Sequence, residues 1–264
     1  MNDEDAASRA LVARAGDIDR LHHRFQQGPP TVGPGSRIMG DDQATTPLQA
    51  SHAAWLALSH AADNLHAFRT LVVQGEYPEF RVETRPYGLY PVLRAAFENA
   101  CVAVWLMSPS RRDVRVERRL RWALMDASNQ DRLLKCLGNP LPPKTPRRMT
   151  MVEDIARKRG LDINWSKDEP TITSIVRAAG DASPQGGVSA ETMWRVMSGM
   201  THGDFSALLN MGDRQELPPL ETDTVHFSVT ASVSRIHMVS EIVYDMTDRA
   251  FDLYDTGAAP LRPS

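Results

Sequence analysis

The stretch Val92–Met107, VLRAAFENACVAVWLM, constrains the fold more than any other part of the chain. It has helical period, stops at Ser108-Pro109, and is apolar on nearly every side. Such a helix has no broad water-facing stripe, so other elements must cover it all round. It is no membrane span, because its longest uninterrupted apolar run, Ala100 to Met107, falls far below the roughly 20 residues required. The expectation is the central helix of a soluble bundle. With 264 residues, the chain can bury roughly 70% of its extended surface and needs neither disulfide nor metal to fold. Cys101, in the apolar run, and Cys136, near a helix end, suit neither a disulfide framework nor a thiolate metal site. The acidic start, Met1-Asn2-Asp3-Glu4-Asp5, lacks the basic-then-apolar order of a signal peptide, which makes the cytoplasm the expected location.

The neighbouring stretches also repeat at helical spacing. Residues 6–25 place Leu11, Ala15, Ile18 and Phe25 on one side. Residues 26–46, QQGPPTVGPGSRIMGDDQATT, are rich in Gly and Pro and read as a flexible linker. Thr46-Pro47 reads as the cap and first residue of a helix with a seam through Ser51, Leu58, Leu65 and Val72, closed by Gly75. Further helices are expected over about 87–107, 109–137, 145–160, 170–179, 190–200 and 224–254, and no alternating strand pattern stands out. The predicted fold is all-α, a multi-helix bundle over 47–256. An N-terminal helical arm with its Gly/Pro-rich linker precedes it over 1–46, and a disordered tail follows over 257–264.

Polar residues interrupt this pattern in two places. Arg94 and Glu98 lie one turn apart on the otherwise apolar stretch, with Asn99 beside them. A buried charge must be paired, so both are expected to be largely buried, with Glu98 bonded to Arg94 or Arg195. That pair either fixes packing register or forms the floor of a site. The second place is MWRVMSGMTHGD, residues 193–204. Seven helical residues turn through about 700°, so Arg195 and His202 share a face roughly 10 Å apart, and a break at Gly199 would bring them closer. Arginine neutralises phosphoryl oxygens and histidine transfers a proton near neutral pH, a pairing suited to metal-free phosphate chemistry. Between Arg111 and Arg148 basic residues outnumber acidic ones by 11 to 4, against a net charge of −3 for the whole chain. On a helical wheel Val116, Leu120, Ala123 and Ala127 form the inner face of this basic helix. Arg111, Arg112, Arg115, Arg118 and Arg119 lie opposite, with Trp122 among them, a surface suited to a polyanion or a subunit contact.

Arg195-x6-His202 on an all-α protein resembles the Arg-x4–6-His motif of the HEPN superfamily, and RAAFEN (94–99) followed by MSGMTHGD is similar to HEPN-like bacterial helical proteins. The resemblance implies a metal-independent endoribonuclease of toxin or antiphage type, with Arg195 on the phosphate and His202 as acid–base. Arg94, Glu98, Asn99, Ser198 and Asp204 would support the site, and Arg115, Arg118, Arg119 and Trp122 would bind RNA. It implies no cofactor and no metal, a homodimer with both sites near the interface, and a partner such as an antitoxin. Active members commonly carry a polar residue after the arginine, where this chain has Val196. Two other readings stand beside it. One is a helical module that binds RNA, a nucleotide or a protein without turnover. The other is a metal-dependent bundle enzyme using His60, Asp63 and His66 with His237, Glu241 and Asp245.

Overall fold

Alanines at the spacing of one helical turn set how closely the central helices approach. A computed structural model of the chain describes residues 3–75, 79–138, 145–163, 169–218 and 226–261. In it α3 (Ala50–Val72) lays Ala54, Ala57, Ala61 and Ala62 beside Leu58, Leu65 and Phe68 along its buried side. That side packs on α4 (Leu89–Met107), in which every residue from Ala100 to Met107 is buried. The covering of α4 is completed by α7 (Ile172–Asp181), α8 (Gly187–His202) and α10 (Val233–Ala258). The expected all-α bundle around the helix at 87–107 is what forms, and that helix is the fourth because α2 (Arg37–Thr45) lies within 26–46. No helix among the described residues is long and apolar enough to cross a membrane.

The N-terminal region differs from an arm on a linker. α1 (Asp3–Gln26) buries Leu11, Ala15, Ile18 and Leu21 against α3 and α10, in the same core as α4. Its Glu4 carboxylate caps α10 from outside, accepting from the backbone N–H groups of Val233 (2.8 Å) and Ser234 (3.2 Å) and from the hydroxyls of Ser232 and Ser234. These N–H groups have no partner within their own helix, so a carboxylate there satisfies both the hydrogen bonds and the dipole. The Gly/Pro-rich stretch is likewise tied down. Gly33 N–H donates to Ala258 O (2.8 Å), and Ser36 caps α2 (Arg37–Thr45) through the N–H of Met39 (3.2 Å). At the other end, Gly257 and Ala258 belong to α10, while 262–264 lie outside the described residues.

Element boundaries moved where side chains competed for the backbone. Thr46 is the C-cap of α2, not the start of α3: the hydroxyls of Thr45 and Thr46 bond back to the carbonyls of Asp41 and Asp42. Asp42 then accepts the N–H of Ser51 (2.8 Å) in the first turn of α3. The last helix begins at Val233 because 226–231 pair as β4 (His226–Ala231) with β3 (Gly212–Leu217) in an antiparallel hairpin. Val229 and Thr230 favour that extended state, and Val229 packs over Gly212 where no side chain fits. A shorter antiparallel pair, β1 (Val73–Gln74) with β2 (Arg81–Val82), follows α3. α9 (Phe205–Met211) turns back against α8.

A smaller second core lies between α5 (Arg112–Cys136) and α6 (Thr145–Lys158), built from Val116, Leu120, Leu124, Val152 and Ile155 with Ala44 of α2. α2 joins the two cores through an ion pair. Arg115 donates to both oxygens of Asp41 (2.6 and 2.9 Å) and to the carbonyls of Pro109 and Ser110 (2.8 Å each), with only 5% and 6% of the two side chains exposed. Removing one partner of such a pair strands a buried charge. Arg115→Ala is expected to cost about 3–5 kcal/mol, read as a lowered urea midpoint with an unchanged slope.

Glu4 generates a pH prediction. Burial acts to raise its pKa, but the hydrogen bonds from Ser234, Val233 and Ser232 outweigh that, and the carboxyl ends below its ordinary range. A depressed folded-state pKa adds stability above the unfolded value, near 4.3, and loses it as pH falls through the folded one. The stability advantage of the natural chain over Glu4→Gln is therefore expected to shrink between about pH 6 and about pH 3 in thermal melts. A pH-independent difference would show that the carboxylate charge contributes nothing.

Candidate functional site

The polar seam of α4 is met by α8. Arg94 donates from Nε to Glu98 Oε1 (2.8 Å), one turn along the same helix. Trp194 of α8 donates its indole N–H to the same oxygen (2.7 Å). Arg94 Nη1 lies 3.1 Å from Nε2 of His202, at the C-terminal end of α8, and the Arg94 guanidinium sits 5.6 Å from the Trp194 ring centre. Arg94 and Glu98 are 22% and 24% exposed at the side chain, so they line a half-open seam and are not interior residues. The expected Arg94–Glu98 bond is present, and the Trp194 indole adds a second donor to the same carboxylate oxygen.

A guanidinium only donates, so the Arg94 contact makes His202 Nε2 the acceptor and puts the ring proton on Nδ1. The His202 residue is exposed. Immediately after it the chain turns at Gly203, which takes a left-handed conformation (φ 76°) that other residues avoid. The N–H of Asp204 returns to the carbonyl of Gly199 (2.9 Å). Gly199 has no room for a side chain: a β-carbon there would fall 2.8 Å from that of Ala207 and 3.1 Å from the Asp204 carboxylate. This tight corner fixes where α8 ends, and hence where His202 meets Arg94.

The remaining candidates divide. α8 is continuous from Gly187 to His202, so Arg195 and His202 stay two turns apart on one face and do not touch. Arg195 instead donates to Glu191 Oε1 (2.7 and 2.9 Å), with its guanidinium 5.8 Å from the Trp194 ring centre. Glu191 Oε2 holds Arg177 of α7 at 2.7 Å. Ser198 is half-buried on α8 between Trp194 and His202, and Asp204 is exposed at the corner. Asn99 is turned away and bonds Ala95 O within its own helix (2.9 Å). Cys101 is fully buried beside this seam. Burial, with a smaller contribution from Glu98, pushes its thiol up, so it stays protonated.

The basic helix does not present the open arginine face read from the helical wheel. Arg115 is consumed by the buried pair with Asp41. Arg118 is half-buried, donates to Trp105 O (2.6 Å) and stacks over the Trp105 ring. Arg119 donates to Gln49 O (3.2 Å), and Trp122 packs partly buried against the main core. The wheel allowed α5 one buried side, whereas α2 and the end of α4 occupy the other.

The histidine groups proposed as metal ligands are also occupied. His66 stacks on His22 of α1 (3.9 Å between ring centres) with Asp19 at 3.2 Å, and Glu241 is held bidentately by Arg14. Among the described residues no group of His, Cys, Asp or Glu side chains is arranged to hold a metal ion. Compared with known protein families, curated proteins and solved structures, the chain matches none.

The tautomer is directly measurable. Long-range ¹⁵N–¹H spectra are expected to show neutral His202 protonated at Nδ1 in the natural chain, and a shift toward the Nε2–H form in Arg94→Ala. Identical tautomer populations in both would mean that the Arg94 contact does not hold in solution.

Proposed function

We propose that the α4–α8 seam is a phosphodiester site and that the chain is a HEPN-like, metal-independent endoribonuclease of toxin or antiphage type. The observation that carries this reading is the Arg94–His202 contact on an exposed imidazole. It turns the Nε2 lone pair of the neutral ring toward the seam and puts a permanent cation beside it. When RNA enters, Arg94 shifts from the imidazole to a non-bridging phosphate oxygen, and Nε2 is released to act as a base. The 2′-hydroxyl gives its proton to Nε2 as its oxygen attacks phosphorus. The P–O5′ bond breaks, and the 5′ oxygen leaves with the proton from the imidazolium. The products are a 2′,3′-cyclic phosphate and a 5′-hydroxyl. Arg94 thus takes the role that the motif resemblance gave to Arg195, while Glu98 and Trp194 hold it in place. The same resemblance supports a homodimer with both sites near the interface and an antitoxin as protein partner.

A second reading is a module that holds RNA or a nucleotide without cutting it. Val196 favours it, since the position where active relatives carry a polar group packs here against the core. The experiment that separates the two is incubation of purified protein with RNA in excess EDTA. Cleavage leaving cyclic phosphate ends is expected, and His202→Ala should reduce the rate at least about 10²-fold. Arg94→Ala is expected to weaken both binding and cleavage. Retention of RNA on a filter without cleavage would identify the binding module, and neither would end both readings.

A further inference from the structure

We infer that Arg177 and Arg195, bridged by Glu191, form a second phosphate subsite, so that the substrate is an oligonucleotide strand spanning it and the Arg94–His202 seam. This rests on the reading of that seam as a phosphodiester site. The bridge is a built feature. Glu191 is 13% exposed at the side chain and engages Arg195 through one oxygen and Arg177 through the other, both at 2.7 Å, while the two arginines remain 63% and 58% exposed. One carboxylate facing two guanidinium groups leaves a net positive charge, with both cations open to solvent. The Arg195 hydrogen bond, with the charge of Arg177 beside it, holds the Glu191 carboxyl below its ordinary range, so the bridge stays ionised.

The packing of α7 on α8 sets this register. Asp181 accepts the N–H of Gly187 (2.9 Å), and one turn away on each helix Arg177 meets Glu191. At Gly187 a β-carbon would fall 2.7 Å from the Arg177 carbonyl, so the close approach depends on a glycine there. An ion pair whose arginine is exposed contributes little to stability, about 0–1 kcal/mol, so fold maintenance is a poor reason to gather two arginines on one acid.

Distance decides which phosphate they serve. Arg195 lies two helical turns from His202, roughly 10 Å along the axis, and is held on its side by Glu191 and Trp194. Charge-assisted bonds to phosphate need about 2.7–2.9 Å, so the phosphate under attack at His202 does not reach Arg195. A different phosphate of the same strand does. A mononucleotide or dinucleotide fills only the seam, and a longer strand fills both.

The test compares a dinucleotide with an oligoribonucleotide of roughly 12 residues carrying the same junction, together with the salt dependence of oligonucleotide binding. Each phosphate contact to a single strand contributes about 0.7 to the slope of log K against log salt. Arg177→Gln is expected to lower that slope by about 0.7 and to cut kcat/KM on the oligonucleotide about tenfold more than on the dinucleotide. Glu191→Gln, which frees both arginines, is expected to move oligonucleotide affinity the opposite way at low salt. A collapsed fold would weaken binding in both variants, so the opposed signs separate the subsite from structural damage. If the natural chain binds RNA but Arg177→Gln changes neither slope nor length preference, the subsite is wrong and the seam stands. If the natural chain neither binds nor cuts RNA, the seam reading falls and takes the subsite with it.

Discussion

A helix covered on nearly all sides can carry a guanidinium only where some neighbour leaves a gap and supplies partners. That requirement organises this protein. α4 needs four helices around it to bury Leu93, Phe97 and the run from Ala100 to Met107, yet Arg94 and Glu98 sit on the same cylinder. The cover is therefore incomplete along one line, and the helix closing that line brings donors and acceptors of its own. α8 meets the demand with the indole N–H of Trp194 for the carboxylate and the imidazole of His202 for the guanidinium. The candidate site is a by-product of solving a solvation problem at the centre of the bundle.

Three arginine–carboxylate arrangements occupy graded depths. Arg115–Asp41 is almost fully buried and welds α2 to α5. Arg94–Glu98 is about one-quarter exposed, and the Arg177–Glu191–Arg195 bridge has its acid sheltered and its arginines in water. The same chemical pair does different work at each depth. A buried pair has no alternative partner and locks geometry. A half-open pair keeps its geometry and can still exchange one hydrogen bond for a ligand. An exposed bridge holds its charges in place and presents them outward.

Much of the architecture was legible because periodicity and punctuation agree. α4, α5 and α6 stop or start at the Pro and Gly signals that frame them, and the i,i+4 spacing of Arg94 and Glu98 foretold their bond. What failed was inference about partners across space. Gly and Pro in 26–46 read as slack, but the tie from Gly33 to Ala258 and the buried Ile38 depend on an element more than 200 residues later. The arginines of α5 read as a surface for a polyanion or a second subunit because nothing on α5 announces that Asp41 lies opposite. Arg195 and His202 were placed on one face correctly. The resemblance already set Arg94 at the site of His202, but nothing in a single sequence marks Arg177 as sharing Glu191 with Arg195.

The carboxylate of Glu4 secures the first turn of α10 across a separation of about 230 positions. During synthesis at about 5–20 residues per second, α1 leaves the ribosome roughly 10–50 s before the helix it caps exists. For that interval Leu11, Ile18 and Leu21 lack α10, one of the two helices they pack against. The bundle closes end to end as a late, non-local event. Until α10 emerges, the apolar side of α1 that it covers stays open to proteases and chaperones.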